Sequence, residues 1–101
     1  MVFIYTTCPD VKSAKRIGES LLKKRLAACC NYWSIQSSYR WKDKIQHDRE
    51  AALLIKTIKK HIDRAKRLIE ERHPYKAPCI AVLSAKQFNA KYKKWLTSEC
   101  R

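Results

Sequence analysis

Glycine is almost missing from this chain: Gly18 is the only one in 101 residues, beside three prolines. A dinucleotide-binding fingerprint and a Walker-type phosphate loop each need more than one glycine, so both are excluded. Acidic residues are scarce too, 9 against 23 lysines and arginines, and the resulting formal charge of +14 at pH 7 points to anionic partners. No apolar run approaches the roughly 20 residues that cross a bilayer, so no membrane association is expected. The first residues, Met1-Val2-Phe3-Ile4-Tyr5, have neither the basic start nor the small-residue cleavage pattern of a secretory leader. The cysteines, Cys8, Cys29, Cys30, Cys79 and Cys100, are odd in number and form no C-x-x-C pair, which suits free thiols in a reducing compartment. A cytoplasmic location is the expectation. No Ser/His/Asp or Cys/His spacing marks a nucleophile, so no enzymatic activity is expected.

What is present is enough for one folded domain over residues 1–101, since apolar residues make up 46% of the chain. Val2 to Thr7 reads as a strand, β-branched and aromatic, and Pro9-Asp10 breaks it. From Asp10 to Arg25, Val11, Ala14, Ile17, Gly18, Leu21 and Leu22 recur at helical steps opposite Lys12, Lys15, Arg16, Glu19 and Lys23. Gly18 lies on the apolar side of that helix, where it lets a sheet come close.

The next segment alternates. Ala27, Cys29, Trp33, Ile35, Tyr39 and Trp41 share one parity, Tyr32, Ser34, Gln36, Ser38 and Arg40 the other, and the period makes an unusually long strand. Lys42-Asp43 reads as a two-residue turn, with aspartate tolerating positive φ. A second strand runs from Lys44 to Thr57, polar in its outer half and apolar on both faces from Ala51 to Ile55. Ile58, Ile62, Ala65 and Ile69 mark a second helix, which His73-Pro74 ends. Cys79 to Leu83 reads by its length as a buried strand, and Phe88, Tyr92, Trp95 and Leu96 as one face of a terminal helix.

This order predicts an α+β, ferredoxin-like split βαβ sandwich with a long β2-β3 hairpin and a C-terminal helix. The hairpin strands run more than twice the common length of about 5 or 6 residues. Two short helices cannot cover them, and Trp33, Ile35, Tyr39 and Trp41 lie along the overhang. A long aromatic edge invites association, and a closed cyclic oligomer buries it.

Several separated motifs then agree in order and spacing: Leu26-Ala27-Ala28-Cys29, Tyr39-Arg40-Trp41-Lys42-Asp43-Lys44-Ile45, Glu50, Ile55-Lys56-Thr57, and His73-Pro74-Tyr75 with Pro78. Together they resemble the CutA divalent-ion tolerance family over nearly the whole length, from Thr7-Cys8-Pro9-Asp10 to Trp95-Leu96. The resemblance implies a homotrimer whose hairpins pair between subunits, similar to the trimeric nitrogen-regulatory signal proteins. It also implies a role in tolerance of copper and other divalent cations, or, as in a mammalian branch, in anchoring or processing acetylcholinesterase. The chain departs from the family pattern at three places. Asp43 stands at a turn position usually held by glycine, and Tyr75-Lys76-Ala77-Pro78-Cys79 replaces two carboxylates with a cation and a thiol. Thr6 stands where some members have a cysteine, with Cys8 displaced by two positions.

For a metal, His73 is the nitrogen donor, a type common for zinc and copper, and with Cys79, the thiol that follows it closely, it makes a soft pair suited to monovalent copper if a neighbouring subunit completes it. No cofactor is required. His47 and His61 read as exposed. Tyr39, Trp41, Lys44, Glu50, Lys56, Tyr75 and Trp95 are the candidates for a ligand cleft or subunit interface. Glu50 and Lys56 share strand parity but lie about 20 Å apart along one strand, so they cannot touch within a chain. The aromatic third-strand signature of RNA-recognition modules is missing, because Lys44 to Ile55 contains no aromatic residue. The lysines are scattered over both helices, and the expected polyanion contact is nonspecific and confined to low salt.

Overall fold

Asp10 separates the first strand from the first helix. Its backbone is extended (φ −155°), and its carboxylate accepts the Ser13 N–H at 2.7 Å while its own N–H reaches Ser13 Oγ at 3.4 Å. This reciprocal cap satisfies two of the donors a helix start leaves open. The computed structural model describes all 101 residues, in the order β1 (Val2–Cys8), α1 (Val11–Lys23), β2 (Cys29–Trp41), β3 (Lys44–Thr57), a 3-10 turn (Lys59–His61), α2 (Ile62–Arg72), β4 (Ile80–Ser84) and α3 (Ala90–Glu99).

The four strands form one antiparallel sheet in the order β2-β3-β1-β4. Both α1 and α2 lie on one of its faces, the ferredoxin-like arrangement. Register assigns the faces. Ile4, Thr6 and Cys8 stand opposite Ile55, Leu53 and Ala51, and these pack with Ala14, Ile17, Leu21, Ala65 and Ile69 of the helices. On β2 the same face continues through Cys30, Tyr32 and Ser34. The other face therefore receives Phe3 and Tyr5 from β1, Leu54 from β3, and Trp33, Ile35, Tyr39 and Trp41 from β2.

At Gly18 α1 approaches β2 so closely that an added Cβ would sit 3.2 Å from the Cys30 Cβ. The hairpin turn places Lys42 (φ 50°) and Asp43 (φ 63°) in the left-handed region, as a two-residue turn matched to strand twist requires. Thirteen strand residues extend about 43 Å, whereas the thirteen residues of α1 extend about 20 Å. The outer half of the hairpin consequently runs free of the helices, and the molecule measures 46 × 26 × 21 Å.

Two expectations need correction. The apolar run before residue 84 forms an edge strand and not a buried one, with Leu83 half exposed, because β4 pairs only with β1. The terminal helix begins at Ala90, after Phe88, and of its expected apolar face only Leu96 is buried.

Candidate functional site

α2 ends at His73, whose N–H closes the last turn on the Ile69 carbonyl at 2.8 Å, and Pro74 cannot continue the helix. The buried His73 ring does not turn back to its own helix. It crosses to the end of β1, where Nε2 lies 2.8 Å from the Thr7 carbonyl oxygen. A carbonyl only accepts, so Nε2 carries the proton and Nδ1 accepts the Tyr75 N–H at 3.1 Å. The Cys8 Sγ stands 3.8 Å from Nε2 and is fully buried. Burial, reinforced by the charges of Asp10 and Glu50, pushes the Cys8 thiol up to about 11, so it is protonated at neutral pH.

Beyond Cys8 the first strand stops while β3 continues outward, and the loop after α2 lies beside this free stretch. There the Tyr75 ring packs at 5.0 Å from the His73 ring and its phenol donates to Glu50 Oε2 at 2.7 Å. Burial, the Glu50 hydrogen bond and the Glu50 charge all raise the Tyr75 phenol. Two residues farther out, Asp48 accepts a hydrogen bond from the exposed Tyr39 phenol, which raises that pKa in turn. The structure thus brings together Cys8, His73, Tyr75 and Glu50, with the Tyr39–Asp48 pair next along the strand.

The remaining candidates lie elsewhere. Lys56 Nζ sits 5.4 Å from the centre of the Tyr92 ring, and Trp95 packs on the same tyrosine at 5.4 Å. Trp41 and Lys44 face each other at the hairpin tip, where Trp41 is 60% exposed. Six residues of strand, about 20 Å, separate Glu50 from Lys56 and again from Lys44. Cys79 is exposed, and the thiol next to His73 is that of Cys8. No group of three or more His, Cys, Asp or Glu side chains converges as a cation cage within the chain. With Nε2 donating and Nδ1 accepting, His73 offers no free lone pair in this arrangement.

Sequence reasoning overlooked Cys8 as the partner of His73, although its parity with Ile4 and Thr6 places it on the buried face. His61, expected to be exposed, is fully buried. The 3-10 turn carries it inward, and Arg64 Nη2 donates to its Nδ1 at 2.9 Å. Its Nε2 has no partner in hydrogen-bond geometry, although the Cys100 backbone is near.

A family profile described as "CutA1 divalent ion tolerance protein" matches residues 2–99. The chain is 38% identical to the "Divalent-cation tolerance protein CutA" of Pyrococcus horikoshii, covering 100% of this chain and 99% of that one. It is 39% identical to the protein so described in Thermotoga maritima, over 95% of each chain. Among solved structures, the "Periplasmic divalent cation tolerance protein CutA" of Archaeoglobus fulgidus superposes with a TM-score of 0.95 at 31% identity, covering 100% of both chains. No helix is long and apolar enough to cross a membrane.

Proposed function

The chain belongs to the CutA1 divalent ion tolerance family, and from that premise we propose that it acts as a non-catalytic, homotrimeric binding protein in the handling of divalent metal ions. The observation that carries the reading is the uncovered sheet face. Trp33, Tyr39 and Trp41 of β2 and Leu83 of β4 stand between 42% and 60% exposed on that face. A soluble monomer rarely leaves so many large apolar side chains unshielded on one sheet face. Two sister copies laid against it bury the aromatics and pair the long edge of β2, which otherwise presents open backbone donors and acceptors.

Cation binding on this reading is weak. His73 has to release the Thr7 carbonyl before Nε2 faces an ion, and the other donors come from Cys79 or from a neighbouring subunit. Copper or zinc suits a set of imidazole and thiolate. Calorimetric titration of either ion into the wild type and His73→Ala tests the assignment, with affinity expected to fall about tenfold or more. Equal affinity in the two proteins removes His73 from the site. A cytoplasmic location completes the proposal, supported by five cysteines of which none forms a disulfide.

A second reading, a trimeric regulatory or protein-anchoring scaffold that binds a small ligand, is favoured by one feature. A cleft of about 450 Å³ opens beside Glu50, lined also by Pro9, Asp10, Ser34, Gln36 and Arg49. Its size suits a small polar metabolite. A compound that raises the melting temperature without any metal would support this reading over the first.

A further inference from the structure

The excess positive charge is almost wholly unpaired. Of 23 lysines and arginines only Arg25 lies within 4.0 Å of a carboxylate, that of Glu99 at 3.2 Å. On the helix layer, moreover, the charge is gathered by the fold. The residue after α1 and the outer side of α2, some forty positions apart in sequence, border one groove of about 320 Å³. Lys24, Arg64 and Arg67 line it, Leu26 and Leu68 form its floor, and Glu71 is its single acid. The two leucines are each 5% exposed, so the cations stand over an apolar, low-dielectric base that strengthens their common field. Arg64 is also held in place, because its Nη2 donates to Nδ1 of the fully buried His61 at 2.9 Å. A guanidinium fixed at one nitrogen keeps its other N–H groups for an outside acceptor.

We propose that this groove between α1 and α2 is a docking site for the phosphodiester backbone of a nucleic acid, bound without regard to base sequence. Charge complementarity argues for the occupant. Three cations with one acid around a single groove leave a local excess of two positive charges, and charges are screened from one another only beyond roughly 8 Å at physiological ionic strength. The positive charge does not stop at the groove. On the 3-10 turn and α2, outside the groove lining, Lys59, Lys60, Lys66 and Arg72 outnumber Asp63 and Glu70, an excess that suits a repeating polyanion better than a single small anion. Arginine suits phosphate through its planar fork of donors. No aromatic side chain lines the groove, so bases are not stacked and the contact is with the backbone alone. The helix layer faces away from the sheet surface that sister copies would cover, so docking does not depend on the state of assembly.

The test is fluorescence anisotropy of a labelled mixed-sequence DNA duplex with the full-length protein, titrated over a series of salt concentrations. The protein variants are Lys24→Gln/Arg67→Gln, the same pair with Arg64→Gln, and Lys86→Gln/Lys93→Gln/Lys94→Gln, a control outside the groove lining that matches the triple variant in charge loss. The double variant keeps the Arg64–His61 contact and guards against misfolding, which circular dichroism checks in every variant. The expected result is a salt slope reduced by about 0.9 for each groove cation that meets a phosphate, with affinity reduced at least tenfold in the groove variants and much less in the control. Equal losses in groove and control variants would mean diffuse attraction to total charge and overturn the proposal. So would displacement of the duplex by inorganic phosphate at matched ionic strength, which would mark a small-anion site.

Discussion

Tyr75 and Glu50, twenty-five residues apart in sequence, meet through a 2.7 Å hydrogen bond from the phenol to the carboxylate. That contact fixes the loop after α2 against the stretch of β3 that continues past the end of β1. It holds the His73 ring indirectly, through the Tyr75 N–H on Nδ1 and the packing of the two rings.

Tyr75→Phe removes the phenol donor and leaves a half-buried carboxylate without it. The expected cost is about 1–2 kcal/mol in chemical denaturation, in the range of hydrogen bonds to charged groups. Glu50→Gln is expected to cost less in the Tyr75→Phe background than alone, and strictly additive losses in the double-mutant cycle would show that the two side chains do not interact.

Stability should fall in mild acid through His61. Burial lowers its pKa from 6.5; the Cys100 backbone opposes this in part, and the charges of Arg64 and Lys60 lower it by lesser amounts. A base with a depressed folded pKa takes up its proton more readily when unfolded, so stability rises with pH while the two states differ. The contribution is complete above about pH 6.5 and is lost as pH falls below it. His61→Gln keeps an acceptor for Arg64 but cannot titrate. Denaturation midpoints between about pH 8 and pH 5 should therefore drop less in this variant than in the wild type; parallel curves would contradict the assignment.

Gly18→Ala sets two effects against each other. Alanine in mid-helix is favoured by up to about 1 kcal/mol over glycine, but the new methyl meets the Cys30 Cβ at 3.2 Å. That atom is bonded directly to the β2 backbone and cannot rotate away. Overpacking costs about 1–3 kcal/mol, so the variant is expected to be the less stable one in thermal melts.

Asp43→Gly should act in the opposite direction. Asp43 holds φ at 63°, a region in which a side chain crowds its own backbone. Relief of that strain is expected to raise stability by about 0.5–1 kcal/mol, and an unchanged or lowered melting temperature would count against the two-residue turn.

The cysteines should separate by burial. The thiols of Cys8 and Cys30 are pushed up to about 11 and about 12 by burial, and Cys79 is exposed. Alkylation of the native protein followed by mass spectrometry should label Cys79 well before either of them. Early labelling of Cys8 would show that the end of β1 opens readily.

Much of the fold was legible because periodicity is local. The alternation from Cys29 to Trp41 assigned one face of β2, and the 3.6-residue spacing around Ile17 and Leu21 marked α1 with ends shifted by one or two positions. The edge position of β4 was not legible, since an apolar run looks the same whether or not an element covers it. His61 was misread for a related reason: it follows two lysines in sequence, and only the turn at Lys59 carries it inward. In the candidate site, His73, Tyr75 and Glu50 could each be picked out as chemistry-bearing, but nothing along the chain joined them. Their meeting depends on β1 ending at Cys8 opposite Ala51, a register set by packing across the sheet. The Lys24, Arg64 and Arg67 groove was invisible for the same reason, and its lysines and arginines read as scattered until two elements were laid side by side.

In the proposed trimer the helix-free sheet face is sheltered by copies of the same chain. Light scattering coupled to size exclusion, at moderate salt to suppress charge effects, measures this directly. One species at three times the 11.9 kDa chain mass is the predicted result. A stable, soluble species at the mass of a single chain would contradict it.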